Sequence, residues 1–296
     1  MIEFVNFHLI PGLVLGSIYA LGAIGVTLTF GILRFANFAH GETMTLGAYF
    51  TLTLTALTGL HPLLFLPVAM ALTALAVLGM DRLFFRPLRH GSTIILVIAS
   101  FGLMLMVRSL VQIVWGAKLQ TFSKGIDLPW VLLDALRIFP KHVVIVCAAL
   151  VLMLAVHLLL SRTRAGKAMR AMADSPELAR LTGIDTERVI RTTWIVGAGL
   201  AAAAGVLLAY DTHVHTNMGF RMLLPIFASA LLGGIGRPYG AMAGGLVIGM
   251  AEELSTYPWI GTEPFVPPGY KAGVAFAIMV VILIWRPSGL FRGRVF

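Results

Sequence analysis

The sequence predicts an all-α fold: a polytopic membrane helix bundle of about eight or nine transmembrane helices, including a broken or re-entrant Gly-rich helical pair. Three observations predict it. Hydrophobic side chains make up 58% of the chain and charged ones only 12%, about half the roughly 25% of a soluble domain. Mean hydropathy is +0.92. The glycines, 31 in 296 residues, concentrate in the apolar runs rather than between them, as expected of helices that pack in lipid. This balance excludes a cytosolic enzyme, a secreted disulfide scaffold and a disordered regulator. The one cysteine, Cys147, cannot form an intrachain disulfide and reads as a small core residue.

Charged residues divide the chain into spans, each needing roughly 20 apolar residues to cross about 30 Å of hydrocarbon. Residues 9–33 form the first, with no Lys or Arg ahead of Arg34; the basic flank of a cleavable signal is missing, so the N-terminus is expected to be retained. Residues 43–58 and 63–80 follow, separated by the turn Gly59-Leu60-His61-Pro62. Residues 93–115, interrupted only by Arg108, then 142–160 and 192–210, give three more. Residues 222–251 are a Gly-rich hairpin, read as two short helices over 223–235 and 239–251 that meet at Arg237-Pro238, a poor helix interior. Residues 271–285 close the bundle. The whole chain, 1–296, is expected to be a single transmembrane permease domain.

Positive charge orients it. With the N-terminus outside, fifteen Lys and Arg residues fall inside, against six outside: Lys118, Lys124, Arg137, Lys141, Arg221 and Lys271. Seven of the fifteen occupy residues 161–191, and Arg286, Arg292 and Arg294 put the C-terminus inside. The hairpin must then cross twice or dip in and return. The net charge of +9 is therefore a topology signal, not a nucleic-acid footprint.

Small residues four apart (Gly12/Gly16, Gly236/Gly240, Gly240/Gly244, Gly245/Gly249) mark close helix approach, and Ala201–Ala204 with Gly205 add another small face. The hairpin glycines Gly233, Gly234, Gly236, Gly240, Gly244 and Gly245 are candidates for the translocation path or a helix interface. So are Asn37, His40 and Glu42, since ionisable groups bordering spans default to function. The structural alternative is a cytoplasmic elbow in which Arg34 or His40 pairs with Glu42. One His and one Glu two apart make no metal site. Arg108 snorkels or pairs inside the bundle; Asp211, Glu252 and Glu253 read as solvated at the outer edge. There is no nucleophile–base pair and no G-x-x-x-x-G-K-[ST] nucleotide loop.

In the loop 161–191, Asp174-Ser175-Pro176-Glu177-Leu178 is a helix start and Gly183 a helix stop. A helix over 176–182 with Leu178 and Leu181 on one face is too short to stand alone. Its receiver is its own membrane domain, the lipid surface or a cytoplasmic partner.

The stretch Gly31-Ile32-Leu33-Arg34-Phe35-Ala36-Asn37-Phe38-Ala39-His40-Gly41-Glu42 resembles the N-terminal signature of bacterial branched-chain amino-acid ABC transporter permeases, the "H" type of two paralogous subunits. Ala171-Met172-Ala173-Asp174 through Leu181-Thr182-Gly183-Ile184 is similar to the family's coupling loop, though the general importer pattern begins Glu-Ala-Ala and only Gly183 carries over cleanly. Leu231-Leu232-Gly233-Gly234-Ile235-Gly236, Gly240-Ala241-Met242, Gly244-Gly245 and the tail from Gly269-Tyr270-Lys271 to Arg286-Pro287-Ser288-Gly289-Leu290 match its later blocks. The resemblance implies a non-catalytic subunit of the bacterial inner membrane. It would pair with a second permease, two cytoplasmic ATPases that hold the ATP and Mg, and a periplasmic solute-binding protein, with no cofactor in this chain. ATPase closure would drive alternating access, and Asp174, Ser175, Pro176, Glu177, Leu178, Leu181 and Gly183 would form the ATPase-coupling loop. The solute implied is a branched-chain or related amino acid, with urea or a short amide as alternative. A stand-alone secondary transporter and a structural subunit without a path are the competing classes.

Overall fold

Helix ends in this chain follow its local chemistry closely. The computed structural model describes residues 2–89, 91–122, 128–132, 136–259, 263–286 and 288–291; the topology markers Lys124, Arg292 and Arg294, and Pro287 of the tail, lie outside them. In order come α1 (Ile2–Phe4), a π turn, α2 (Ile10–Leu33), α3 (His40–Thr58), α4 (Leu66–Met80), a second π turn, α5 (Arg86–Leu88) and α6 (Thr93–Trp115). A short antiparallel ribbon follows, β1 (Trp130–Leu132) and β2 (Leu136–Ile138), which no hydrophobic pattern had announced. Then come α7 (Pro140–Arg162), α8 (Arg164–Asp174), α9 (Pro176–Leu181), α10 (Thr186–Asp211), α11 (Met218–Gly233), α12 (Pro238–Ser255) and α13 (Lys271–Trp285). The expected span limits of α6 and α13 match residue for residue.

Among the described residues, six helical stretches are long and apolar enough to cross a membrane: Val5–Leu33, Pro62–Leu88, Thr93–Trp115, Pro140–Arg162, Thr186–Asp211 and Pro268–Trp285. Three more helices, α3, α11 and α12, are shorter or richer in Thr and Gly and lie among them. Their polar content is absorbed locally: Thr51 and Thr53 donate to the carbonyls of Gly47 and Tyr49 four residues back, at 3.0 and 2.9 Å.

Helices α2 and α10 are the buried axis, while α4, α6, α7 and α13 are largely exposed around them. On α2 nearly every residue from Gly16 to Ile32 is buried. Glycines set the spacing. Helix α12 runs antiparallel along α2, with Gly249 on the backbone of Gly16 and Gly245 on that of Ala20. The hairpin closes on itself through Gly233 on Gly240 and Gly244 on the Ser229 carbonyl. Helix α3 meets α10 where Gly47 lies on Ala202 and Gly205 on Met44. The Gly236/Gly240 pair forms no helical face, because Gly236 sits in the turn between α11 and α12 at φ 82°.

Connections sort to two ends of the bundle. Phe85, Trp194 and Phe35 cluster at one end, where the α11–α12 turn also meets Gly31 and the end of α7; this end carries Arg34, Arg86, Arg89 and the 161–191 segment. The other end brings the 59–62 turn to Tyr210 and Asp211, and His8 to Glu253. The α11–α12 turn lies at the basic end and α12 runs from there along α2 to the His8 end, so the hairpin is not a shallow dip.

Cys147 is exposed on α7, among the outward residues Val143, Val144, Leu150 and Val151. Its apolar run faces the surroundings, which corrects the core assignment.

If the α2–α12 approach holds the bundle together, Gly249→Leu forces the two backbones apart and destabilises the protein by about 1–3 kcal/mol or more. Thermal unfolding of the purified chain in detergent should show a lower midpoint; an unchanged midpoint would show that this contact does not determine stability.

Candidate functional site

Helix α2 stops at Leu33 because Arg34 adopts the left-handed region, φ 57°, with its N–H on the Phe30 carbonyl at 2.8 Å. Few non-glycine residues do so, and here it turns the chain back alongside α2. Phe35 packs on Phe85 (ring centroids 5.4 Å), which stacks on Trp194 (5.2 Å). Asn37 accepts from the Ala39 N–H at 3.1 Å through its side-chain oxygen. Phe38 stacks on Phe227, and its N–H donates to the Ser100 hydroxyl at 3.1 Å. At His40, where α3 starts, the ring Nε2 donates to the Gly22 carbonyl at 3.2 Å; a carbonyl only accepts, so Nε2 carries the proton. Gly25 leaves the room for that ring.

Gly22 lies eleven residues before Leu33, about 16 Å back along α2 at 1.5 Å per residue. Helix α3 therefore begins within the apolar thickness. This corrects the elbow reading: neither Arg34, which is exposed, nor His40 pairs with Glu42.

Glu42 instead meets Arg108 of α6. Its Oε1 accepts from Arg108 Nη2 at 2.6 Å and Nε at 3.0 Å. The Glu42 side chain is 0% exposed and that of Arg108 17%. The guanidinium also lies over the Phe220 ring, 4.5 Å from its centroid. Glu42 occupies the first turn of α3, where helix polarity favours an anion. The first turns of α3 and α11 touch backbone to backbone at Gly41 and Gly219, and the Gly219 N–H donates to Thr45 Oγ1 at 3.1 Å. Arg108 stands fifteen residues from Thr93 and seven from Trp115, about 22 and 10 Å along the helix.

A second candidate lies at the basic end. Helix α9 is fixed at both termini. Ser175 Oγ accepts the Leu178 N–H at 3.4 Å and Pro176 takes the first position. At the other end the Gly183 N–H bonds the Arg180 carbonyl and the Ile184 N–H bonds that of Ala179, at 3.0 and 3.1 Å, with Gly183 at φ 81°. Ala179 is buried, and Leu178 (63%) and Leu181 (83%) are exposed; Asp174 and Glu177 also lie on the surface.

The loop carries a helix that the sequence reading missed, α8. Thr163 caps it by accepting the Gly166 N–H at 3.0 Å, and Met169 and Met172 bury its inner face. A side chain at Gly166 would strike the Leu160 backbone. Also unforeseen was the Arg89 network: Nη2 donates to both Asp81 oxygens at 2.5 and 2.7 Å, and Nη1 to Glu187 of α10 at 2.8 Å. Nothing in the local pattern joins Arg89 to a residue 98 positions away.

The remaining sequence candidates separate. Gly233, Gly240, Gly244 and Gly245 are buried in contacts between helices of this chain, Gly234 is buried at the end of α11 against Gly289, and Gly236 borders a cavity of about 450 Å³ at the basic end, beside Arg170 and Asp174. The solvated reading of the outer acids does not hold. Glu252 is buried and accepts from Tyr19 Oη at 2.7 Å. Glu253 pairs with Lys271 at 2.6 Å, and Asp211 with Lys141 at 3.4 Å and His142 at 3.3 Å.

Removing one member of a buried pair leaves the other charge stranded, at a cost of about 3–5 kcal/mol. Glu42→Ala should therefore unfold at a clearly lower temperature in detergent, and Glu42→Ala/Arg108→Met should regain most of the loss. Equal losses in single and double variants would argue against the pairing.

The chain matches the family model described as branched-chain amino acid transport system / permease component over residues 9–283. It is 34% identical to the high-affinity branched-chain amino acid transport system permease protein BraD of Pseudomonas aeruginosa, covering 96% of this chain and 94% of that protein. Identity is 33% with the LivH permease protein of the corresponding Escherichia coli K12 system, covering 94% and 92%. With a probable LivH of Methanocaldococcus jannaschii it is 31%, covering 94% and 90%. Among solved structures, PsaBC from Streptococcus pneumoniae in complex with Fab shares the fold at a TM-score of 0.54 and 14% identity, over 97% of this chain and 95% of that one. On the family match and the full-length relatives, the chain belongs to the branched-chain amino acid transport system permease components.

Proposed function

We propose that this chain is a membrane-spanning permease subunit of an ATP-driven importer for branched-chain or related amino acids. The observation that carries the mechanism is α9. A helix of six residues cannot hold itself, yet this one is capped at both ends, seated through Ala179, and offers Leu178 and Leu181 outward. Such a helix fits a groove on a cytoplasmic ATPase. The basic end then faces the cytoplasm, as the positive-inside rule requires, with the N-terminus on the periplasmic side.

On this reading a second, paralogous permease completes the membrane unit, two ATPases bind its cytoplasmic face, and a periplasmic binding protein delivers the solute. ATP and Mg belong to the ATPases, and this chain contributes no chemistry. Closure of the ATPases displaces α9 together with α8 and the start of α10, where Glu187 ties α10 to Arg89 and so to the end of α4. Alternating access follows from tilting these helices. The solitary secondary transporter is disfavoured by the same helix, for which it has no use.

Leu181→Asp or Gly183→Pro should reduce ATPase co-purification with a tagged permease by about tenfold or more, as for loss of a central interface residue. Membrane insertion should be unaffected. An intact complex with normal leucine uptake would remove α9 from the coupling role.

A further inference from the structure

We infer that Arg108 and Glu42 form a binding site for the zwitterionic head group of an α-amino acid, Arg108 taking the carboxylate and Glu42 the ammonium. This rests on the importer reading above and assigns its substrate-recognising groups.

The placement of polar residues on the surface carries the inference. The outward face of α7 is apolar, with Val143, Val144, Leu150, Val151, Leu154 and Leu158. On α6 the exposed side is apolar through Ile94, Ile98, Phe101 and Leu105, and only beyond Leu105 do Arg108, Ser109 and Gln112 follow on that same side, the latter two exposed. Arg108 and Gln112 reach Phe220 and Thr216 near the start of α11, at 4.5 Å (Arg108–Phe220) and 3.4 Å (Gln112–Thr216). Lipid tails solvate none of these groups, and ionisable residues at this depth face a bundle interior or a watery cavity. This side of the chain therefore borders the path.

Glu42 lies beneath Arg108, wholly screened, and Arg108 is the member with surface to the outside. A zwitterion arriving from that side meets the guanidinium first. Its carboxylate competes for the planar N–H fork, and as Arg108 turns outward Glu42 is uncovered for the ammonium. One ion pair becomes two and no charge is left unpaired. A neutral urea or amide can separate the pair but supplies no counter-charge to either member, so the site favours amino acids over the alternative solutes. The apolar side chain is left to Phe220 and the groove wall.

The test uses the complete transporter with its binding protein, reconstituted in proteoliposomes, and follows ATP-driven L-leucine uptake. Glu42→Gln, Arg108→Gln and the double variant should each lose uptake by about a hundredfold, the loss of charge-assisted contacts to both ends of the head group. The double variant should still assemble, as size-exclusion chromatography will show. A merely structural pair predicts the opposite, because matched neutral residues replace a buried ion pair without penalty. Uptake recovered to near wild type in the double variant overturns the site. If that variant does not assemble, Arg108→Lys decides: leucine carried per ATP hydrolysed should fall about tenfold, since an ammonium lacks the fork, and an unchanged ratio overturns the site. No L-leucine uptake by the wild type would overturn the importer reading itself, and the site with it.

Discussion

The rest of the structure depends on how near other backbones can come to α2. In hydrocarbon, leucine gains nothing by leaving lipid for protein, so helices associate through close packing and internal hydrogen bonds. Gly12, Gly16, Gly22 and Gly25 on α2 open four notches, filled by Met250, Leu246, Ile226 and the His40 ring. The facing glycines of α12 complete the fit from the other side. Because α12 lies so close to α2, the α11 half of the hairpin is held in place, and the first turn of α3 can press on that of α11 at Gly41 and Gly219. The large residues of the exposed helices are, by comparison, a coat.

A tight interior allows polar groups that lipid would not. Glu42, Glu252 and His40 are each buried, and each has a partner from another helix or from α2: Arg108, Tyr19 and the Gly22 carbonyl. Their positions follow from the small-residue contacts. His40 fits only because Gly25 has no side chain, and Glu42 reaches Arg108 because α3 begins deep in the bundle. The polar core and the glycine packing are thus one arrangement, in which disturbing either exposes the other.

Much of this could be read from the chain and some could not, for identifiable reasons. Span limits were legible because charge and Gly-Pro turns bracket apolar runs, and α9 because Ser175, Pro176 and Gly183 act locally. The lead-in at residues 34–39 was misplaced because its depth is set by the aromatic contacts of Phe35 with the π turn after α4 and of Phe38 with α6 and α11, all long-range. Arg34 and His40, eight and two residues before Glu42, looked like its natural partners, whereas the true partner is 66 residues on. Helix α8 was missed because its Ala and Met positions are interleaved with Arg164, Lys167 and Arg170, so the segment reads as a charged loop. Glu252 looked solvated because two adjacent acids at a helix end usually are; the approach of Tyr19 from α2 shows otherwise.

Why a membrane bundle keeps the Glu42–Arg108 pair at all follows from energetics. A buried ion pair adds little stability over apolar residues of the same size, since desolvation offsets the attraction. The glycine contacts already fix the register of α3, so the pair is not needed to specify the fold. Contact with the basic end is continuous: α9 seats on α8, α8 packs on α10, Glu187 ties the start of α10 to Arg89, and α10 meets α3 at Gly47–Ala202 and Met44–Gly205, with Met44 two residues from Glu42. If α9 couples to an ATPase as proposed, a tilt of α10 driven from it shifts α3 against α6, across a seam that holds the Glu42–Arg108 pair and the bond from Trp115 Nε1 to Thr53 Oγ1. On that proposal the pair is a contact that moves with the helices rather than one the fold requires.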